Sequence, residues 1–357
     1  MQRKIYTLVS VAVLALLLAF PAQAAQGAKA GLELCAKSVV PSLFGFLVVT
    51  GFIMSSGAFL SISKIFARPV KWLFNLPPVC AVPFVFGLIG GYPSGLVLAS
   101  RLYRDGLCNR QQFFKMLMFT NNAGIGVASG LVGGLVFQNT GVGLLIYLCS
   151  AGGAVIMGVL SPAGEYAENE DCGLGTAMTN TNAAVTNGMD GMIIAPAAGF
   201  FAAAGASIKK AAESMLAICA SIVFFSVLTG VFNQSGILDP VYRFLCSPRD
   251  YILLKALITG GFEMVGGLFT LTGSAPFAPK VLTACFLVCF GSFSVHMQGI
   301  IFLNGEKGCA GRYVLAKFLH ALLGCILCAA CLFGYWPVFF LAIYLLFLKN
   351  ALKYLQK

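Results

Sequence analysis

Apolar residues run through this chain in segments of about 20 positions, the length that a helix needs to cross a bilayer. Short polar or basic connections separate these segments, and four of them carry glycine, proline, amide or carboxylate residues near the middle. Hydrophobic residues make up 59% of the chain and charged residues 10%, against roughly 25% charged in soluble domains. The pattern therefore predicts an all-α, polytopic membrane protein whose first partner is the lipid bilayer.

The order of segments divides the chain into five parts. We expect an N-terminal transmembrane helix in residues 1–30, a first repeat in 31–162, a polar connecting loop in 163–208, a second repeat in 209–335, and a C-terminal apolar segment with a basic tail in 336–357. The N-terminal part imitates a secretory signal, because Arg3 and Lys4 precede an apolar run. The length of that run favours a retained helix, and cleavage is the alternative.

The first interrupted segment, residues 79–100, contains four residues that favour a break in a helix: Gly90, Gly91, Pro93 and Gly95. Basic clusters precede it in residues 64–71 and follow it in residues 101–110. Lys and Arg collect on the cytoplasmic side of a membrane, and both clusters stay there only if the segment enters and turns back. The pattern predicts a re-entrant hairpin.

The second interrupted segment, residues 113–137, has Asn121, Asn122 and Gly124 at its centre. Each amide offers a hydrogen-bond donor and an acceptor, and an unwound backbone adds more. This combination favours a polar binding site in an unwound transmembrane helix. Hydrogen bonding between neighbouring helices is the alternative.

The same order begins again after Lys210. Residues 253–271 hold the carboxylate of Glu263 in an apolar segment, with the predicted break at Gly260 and Gly261. A charged group at membrane depth is costly and commonly functional. The alternative is a packing seam of small residues, with Glu263 paired to a neighbour.

Residues 281–303 form the matching broken segment, which has its predicted break at Gly291. Four polar side chains follow this glycine: Ser292, Ser294, His296 and Gln298. His296 could titrate near neutrality and carry a proton, or it could be a core histidine that donates to a carbonyl. Lys317 is expected at the cytoplasmic start of the next span, and His320 is expected to have a structural role within that span.

Corresponding positions in the two halves keep nearly constant spacing. Gly91 and Gly261 are 170 positions apart, and Phe119 and Phe290 are 171 apart. Such duplication, with interrupted segments in matching places, is typical of secondary transporters. With the basic residues inside, the first hairpin enters from the cytoplasm and the second from the outside. The predicted fold therefore has two inverted-topology repeats, each with a re-entrant hairpin and an unwound transmembrane helix.

Five motifs stand in this order: Val40-Pro41-Ser42-Leu43-Phe44, Gly90-Gly91-Tyr92-Pro93-Ser94-Gly95, Thr120-Asn121-Asn122-Ala123-Gly124, Gly261-Phe262-Glu263-Met264 and Gly291-Ser292-Phe293-Ser294-Val295-His296-Met297-Gln298. They resemble the sporulation integral membrane proteins with "nucleoside recognition" Gate domains, over roughly residues 31–335. The resemblance implies a fold similar in outline to the core of concentrative nucleoside transporters. It also implies a spore-forming setting, but it does not fix a substrate.

The leading hypothesis is a permease for a small polar solute, for which a nucleoside is one candidate, in the bacterial plasma membrane. Glu263 would be the principal charged group, and hydrogen bonds would come from Ser94, Asn121, Asn122, Ser292, Ser294, His296 and Gln298. A proton or a sodium ion would be the coupling ion. The alternative is a non-transporting scaffold of a sporulation complex. Assembly into a homo-oligomer stays open.

Other classes of protein find little support in the sequence. There is no Gly-x-Ser-x-Gly elbow and no phosphate-binding loop, so no enzyme and no cofactor is predicted. The basic residues form no run with interleaved aromatics, which argues against nucleic acid. The 13 cysteines are odd in number and scattered, and Cys325, Cys328 and Cys331 have no nearby histidine or acid. We therefore predict free thiols and no metal site.

Overall fold

Every regular element is helical in the computed structural model, which describes residues 2–56, 58–161, 200–247, 250–303, 309–335 and 337. The first nine α-helices are α1 Gln2–Ala19, α2 Pro21–Leu34, α3 Val40–Ser55, α4 Phe59–Ile65, α5 Ala67–Phe74, α6 Ala81–Gly90, α7 Ser94–Arg104, α8 Arg110–Leu117 and α9 Thr140–Leu160. They are followed by α10 Phe200–Gln234, α11 Asp239–Leu245, α12 Tyr251–Phe262, α13 Met264–Thr270, α14 Phe277–Phe290, α15 Phe293–Ile301 and α16 Cys309–Leu332. Two π-helical segments, Cys35–Val39 and Val127–Val136, and a 3-10 turn, Pro78–Cys80, complete the elements.

Four helical units are long and apolar enough to cross a membrane: α9, α10, α14 with α15, and α16. Two bent pairs pass the same test, α1 with α2 at 99° and α5 with α6 at 93°. The part of the chain described here thus contains four to six candidate spans. The protein is a multi-pass membrane protein.

The N-terminal part differs from the single predicted helix. Helix α1 ends at Ala19, and Pro21 occupies the first turn of α2, where its missing N–H leaves no bond unmade. Helix α2 packs closely on α10, since a Cβ on Gly230 would lie 2.8 Å from the Cα of Gly27. The side chain of Leu18 on α1, by contrast, is 73% exposed.

The predicted connecting loop is too long at its C-terminal end. Residues 200–208 already belong to α10, which continues without a break through Lys209 and Lys210. The alanines at the start of this helix are strong helix formers, which explains the earlier start. The rest of the loop and the C-terminal part, apart from Pro337, lie outside the residues that the structure describes.

Two pairs of helices fold back on themselves. Between α6 and α7 the chain turns at residues 91–93, and a Cβ on Gly87 would lie 3.1 Å from the Cα of Gly95. Between α12 and α13 it turns at Glu263, and a Cβ on Gly267 would overlap the backbone of Gly260. These glycines let the two arms of each hairpin approach at backbone distance.

Each hairpin is followed by a helix that is interrupted in its middle. After α8 the chain is not helical in residues 118–124; it is helical again from Ile125 and continues as the π-helical segment Val127–Val136. Helices α14 and α15 are separated by Gly291, which has a φ of +82°, and by Ser292. The order of hairpin and broken helix therefore recurs in both halves.

Candidate functional site

The turn of the first hairpin contacts the second half of the chain through Tyr92. Its hydroxyl donates to the main-chain oxygen of Val288 at 2.8 Å and lies 3.2 Å from the sulfur of Met264. The preceding Gly91 has a φ of +81°, and a Cβ there would lie 2.6 Å from the nitrogen of Gly124. Only glycine fits this conformation and this contact. Breaks in the two hairpins and in both interrupted helices thus meet in one region.

The remaining predicted glycine breaks have other roles. Gly90 is the last residue of α6, and Gly95 lies inside α7, where a Cβ would overlap the main-chain oxygen of Thr120. Gly95 is therefore a point of close approach between the hairpin and the unwound segment. Ser94 begins α7 beside this contact, and its buried hydroxyl has no hydrogen-bond partner among the described residues.

The unwound segment brings two buried amides into this region. The Nδ2 atom of Asn121 donates to the hydroxyl of Tyr313 at 2.6 Å, and that of Asn122 donates to the main-chain oxygen of Phe119 at 2.7 Å. The side-chain oxygens of both amides have no partner within the described ranges. A buried acceptor without a partner costs about 1–3 kcal/mol, so these oxygens are candidates for contacting a bound group.

The polar residues of the second broken helix divide into two groups. Ser292 caps α15, because its hydroxyl oxygen accepts from the Val295 N–H at 3.2 Å, and Ser294 accepts from the Gln298 amide at 3.3 Å. Neither ring nitrogen of the buried His296 has a hydrogen-bond partner in the part described. Its ring instead packs edge-on against Phe290 and Tyr313, at centroid distances of 4.7 and 5.3 Å. The expected alternative, donation to a carbonyl, is not seen.

Glu263, rather than the glycines before it, forms the break in the second hairpin. Gly260 and Gly261 remain in α12, and Glu263 is extended, with φ −139° and ψ 114°. Its two carboxylate oxygens accept from the N–H groups of Val265 at 2.9 Å and Gly266 at 2.6 Å. A carboxylate at this position satisfies free donors and the positive end of α13. Glu263 therefore stabilises the turn with the oxygens that were expected to bind solute.

A buried lysine lies at the centre of this region. Lys317 is only 1% exposed, and its ammonium donates to the main-chain oxygen of Asn121 at 2.8 Å. It also lies 2.8 Å from Nδ1 of His320 and forms no ion pair with any carboxylate of the described chain. The expectation that Lys317 stands at a cytoplasmic helix end is wrong. It lies well inside the candidate span Ala310–Leu332.

His320 extends the contacts of Lys317 to two other helices. Its Nδ1 lies 3.1 Å from the main-chain oxygen of Cys289, and its Nε2 lies 2.8 Å from that of Ser150. An ammonium can only donate, so Nδ1 accepts from Lys317 and Nε2 carries the proton that is donated to Ser150. In this tautomer His320 hydrogen-bonds α16 to α9 beside the lysine, and its contact with the Cys289 oxygen of α14 is not a hydrogen bond.

Tyr313, Lys317 and His320 were not predicted as site residues. Their spacing of four and then three positions places them on one face of a helix, and this was the available signal. Arg312 precedes Lys317 by five positions, close to a predicted connection between segments. Lys317 was therefore interpreted as a further basic residue at a segment end. All three side chains are at most 1% exposed.

The cysteines of α14 and α16 pack in the same part of the bundle. The sulfurs of Cys285 and Cys289 are 3.9 Å apart, and the Cys325 thiol donates to the main-chain oxygen of Leu282. Within the described ranges, no three histidine, cysteine or acidic residues are placed to hold a metal ion. These thiols fill the seam between the helices.

The fold and this region define a multi-pass helical membrane protein with a buried polar cluster at breaks in its helices. The chain is 21% identical over 293 residues to the sporulation integral membrane protein YlbJ of Bacillus subtilis (strain 168), an alignment that covers 80% of this chain and 71% of the relative. No protein-family profile matches the chain, and no solved structure matches it significantly. The similarity supports a relation to bacterial sporulation membrane proteins.

Proposed function

We propose that the protein is a permease for a small polar solute, which binds where the two hairpins and the two broken helices meet. The observation that carries this proposal is Lys317, a buried cation without a carboxylate partner in the described chain, hydrogen-bonded to an unwound helix. Ionisable groups at membrane depth are costly, and they commonly mark solute or ion pathways.

The residues of this site have roles that differ from those predicted from the sequence. Lys317 supplies the charge, because both oxygens of Glu263 already accept main-chain N–H groups. The free side-chain oxygens of Asn121 and Asn122 and the ring nitrogens of His296 supply hydrogen bonds to the solute. The rings of Phe290 and Tyr313 add flat apolar surfaces, which suit a heterocyclic solute such as a nucleoside.

The transport mechanism that we propose is alternating access between two inverted repeats with re-entrant hairpins. One cavity is lined by Arg101 and Arg104, in the last turn of the hairpin arm α7, and by Lys210 of α10. These basic residues therefore lie close together, as expected if the charges at the end of α7 and those at residues 209 and 210 stand on one side of the membrane. A proton carried by His296, or a sodium ion, would supply the coupling.

A non-transporting component of a sporulation membrane complex is the second candidate. Two observations favour it: the name of the Bacillus subtilis relative, and the hydrogen bonding of Glu263, Lys317 and His320 to other groups of the protein. In this case the polar cluster would hold the broken helices together without binding a solute.

Ligand-dependent thermal unfolding distinguishes the two candidates. The purified protein would be melted with a panel of nucleosides, nucleobases and small polar metabolites, because a ligand that binds the folded state raises the melting temperature. Lys317→Met removes the proposed charge. Lys115→Met is the matched control. Lys115 is also a buried lysine, but it donates to the main-chain oxygen of Ser161, at 2.9 Å, and not to the unwound segment.

A dose-dependent shift that persists in Lys115→Met and disappears in Lys317→Met would support the permease. A panel without any shift, in protein shown to be folded, would favour the non-transporting component. Transport of a stabilising solute into proteoliposomes would then test translocation directly.

A further inference from the structure

A cavity of about 250 Å³ lies apart from the central cluster, between α3, α7 and α10. None of the side chains that surround the helix breaks lines it. Its charged lining consists of Arg101, Arg104, Asp105, Lys210 and Glu213. Its polar wall carries the hydroxyls of Thr50, Ser55 and Ser207. The cavity therefore combines cations with small polar side chains.

The three cations act on one shared carboxylate. Arg101 Nε lies 3.6 Å from Asp105 Oδ2, in an ion pair whose side chains are 16% and 8% exposed. Asp105 follows α7, outside the candidate spans. Burial raises the pKa of Asp105, whereas the nearby charges of Arg101, Arg104 and Lys210 act to lower it. Lys210 is 106 positions away from Arg104 in sequence, so the fold brings these charges together.

The balance of charge in the cavity is positive. Three cations face two carboxylates, and Asp105 is already engaged by Arg101. Arg104 and Lys210 are exposed at the cavity, so a ligand can reach both of them. On the wall, the hydroxyls of Ser55 and Ser207 lie 3.4 Å apart, at the seam between α3 and α10.

We propose that this cavity binds a phosphate group, with phosphate oxygens on Arg104 and Lys210. Guanidinium and ammonium groups form strong charge-assisted hydrogen bonds with phosphate. The group can belong to a phospholipid headgroup, because basic pockets between transmembrane helices accept such headgroups, or to a free phosphate compound.

The test uses the full-length protein in a neutral detergent. Thermal unfolding is recorded with inorganic phosphate, and with sodium chloride at equal ionic strength as the control. A second series adds dioleoyl phosphatidylglycerol to the micelles, with dioleoylglycerol as the control lipid without phosphate. Lys210→Gln and Arg104→Gln remove the proposed contacts. Lys209→Gln is the matched variant, since Lys209 is exposed on the same helix and does not line the cavity.

Phosphate or phosphatidylglycerol should raise the melting temperature above that of its control. The half-saturating concentration should increase about tenfold in Lys210→Gln and in Arg104→Gln, the loss typical of one charge-assisted hydrogen bond. It should be unchanged in Lys209→Gln. A response to the lipid alone identifies a headgroup site, and displacement of the lipid by inorganic phosphate identifies a site for free phosphate as well.

Two results would overturn the proposal. One is the absence of stabilisation by either phosphate source beyond its control. The other is an equal response in Lys209→Gln and Lys210→Gln, which would show that phosphate acts on the overall positive charge of this surface. Both results are independent of whether the central cluster transports a solute.

Discussion

The ammonium of Lys317 lies 2.8 Å from the main-chain oxygen of Asn121, so one intact helix supplies a hydrogen bond that an unwound segment has lost. The two residues are 196 positions apart. Backbone groups without a partner are tolerated at membrane depth only when other protein groups or a cavity satisfy them. The lysine therefore serves the fold of the unwound segment and places a cation at the candidate site.

Replacing each histidine with phenylalanine should separate binding from folding. His320→Phe removes hydrogen bonds to Lys317 and to the Ser150 main-chain oxygen, and we expect it to lower the free energy of unfolding by about 3 kcal/mol. His296→Phe removes no hydrogen bond in the described chain and keeps an aromatic ring, so a change of less than about 1.5 kcal/mol is expected. Thermal unfolding in detergent measures both.

In a binding assay the order of the two histidine variants should be reversed, with His296→Phe showing the specific loss. If the proposed site is correct, His296→Phe weakens the stabilisation by solute although the protein stays folded. Equal losses of stability in the two variants would show that the ring nitrogens of His296 have partners in the folded protein.

Glu263→Ala should destabilise the second hairpin. The variant removes the acceptors for the Val265 and Gly266 N–H groups, and loss of a helix cap costs about 1–2 kcal/mol. Glu263→Gln keeps one side-chain acceptor, so its stability should lie between that of the unmodified protein and that of Glu263→Ala. Glu33→Ala is the control, because within the described residues Glu33 forms only an exposed pair with Lys37 and should contribute less than about 1 kcal/mol. Similar melting temperatures for Glu263→Ala and Glu33→Ala would contradict the capping role.

Gly95→Ala and Gly261→Ala should change stability in opposite directions. A Cβ on Gly95 would overlap the main-chain oxygen of Thr120, so we expect a loss of about 2–3 kcal/mol from overpacking. A Cβ on Gly261 meets no atom within 4 Å, and alanine is a better helix former than glycine by about 1 kcal/mol. Unfolding curves of both variants check this, and a stable Gly95→Ala protein would show that the hairpin does not contact the unwound segment so closely.

Tyr92→Phe should weaken the contact between the two halves of the chain. It removes the hydrogen bond to the Val288 oxygen at 2.8 Å, which should lower stability by about 1 kcal/mol. Tyr147→Phe is the comparison, because its bond to the Leu88 oxygen is longer, at 3.2 Å, and only partly buried. Hydrogen exchange should increase near Val288 in the Tyr92 variant alone. Equal exchange in both variants would argue against this link.

The sequence predicted those parts of the fold that depend on local pattern. Breaks occur near Gly91, Asn121 and Gly291 as expected. Glycine, proline and adjacent amides interrupt a helix through their own backbone or side-chain chemistry, so neighbours in sequence suffice to detect them.

The roles of charged residues were harder to predict, because they depend on distant partners. Glu263 appeared to be the charge of the site until its carboxylate was seen to accept backbone N–H groups two and three residues ahead. Lys317 satisfied the rule for charges at segment ends, and only its contact with Asn121 reveals a buried role. The side of a helix that faces another chain segment is set by packing, which a sequence alone does not contain.

The shortness of the hairpin arms has a consequence for biogenesis. Helices α12 and α13 contain 12 and 7 residues, whereas about 20 are needed for an independent span. Neither arm can leave the translocation machinery as a stable lipid-exposed unit, because its helix ends would present unpaired backbone groups to hydrocarbon. The second hairpin therefore needs α14, whose Leu287 side chain packs against Gly260, before it can settle. A ribosome stalled before α16 would hold a protein with most of its spans inserted and its central cluster still unmade.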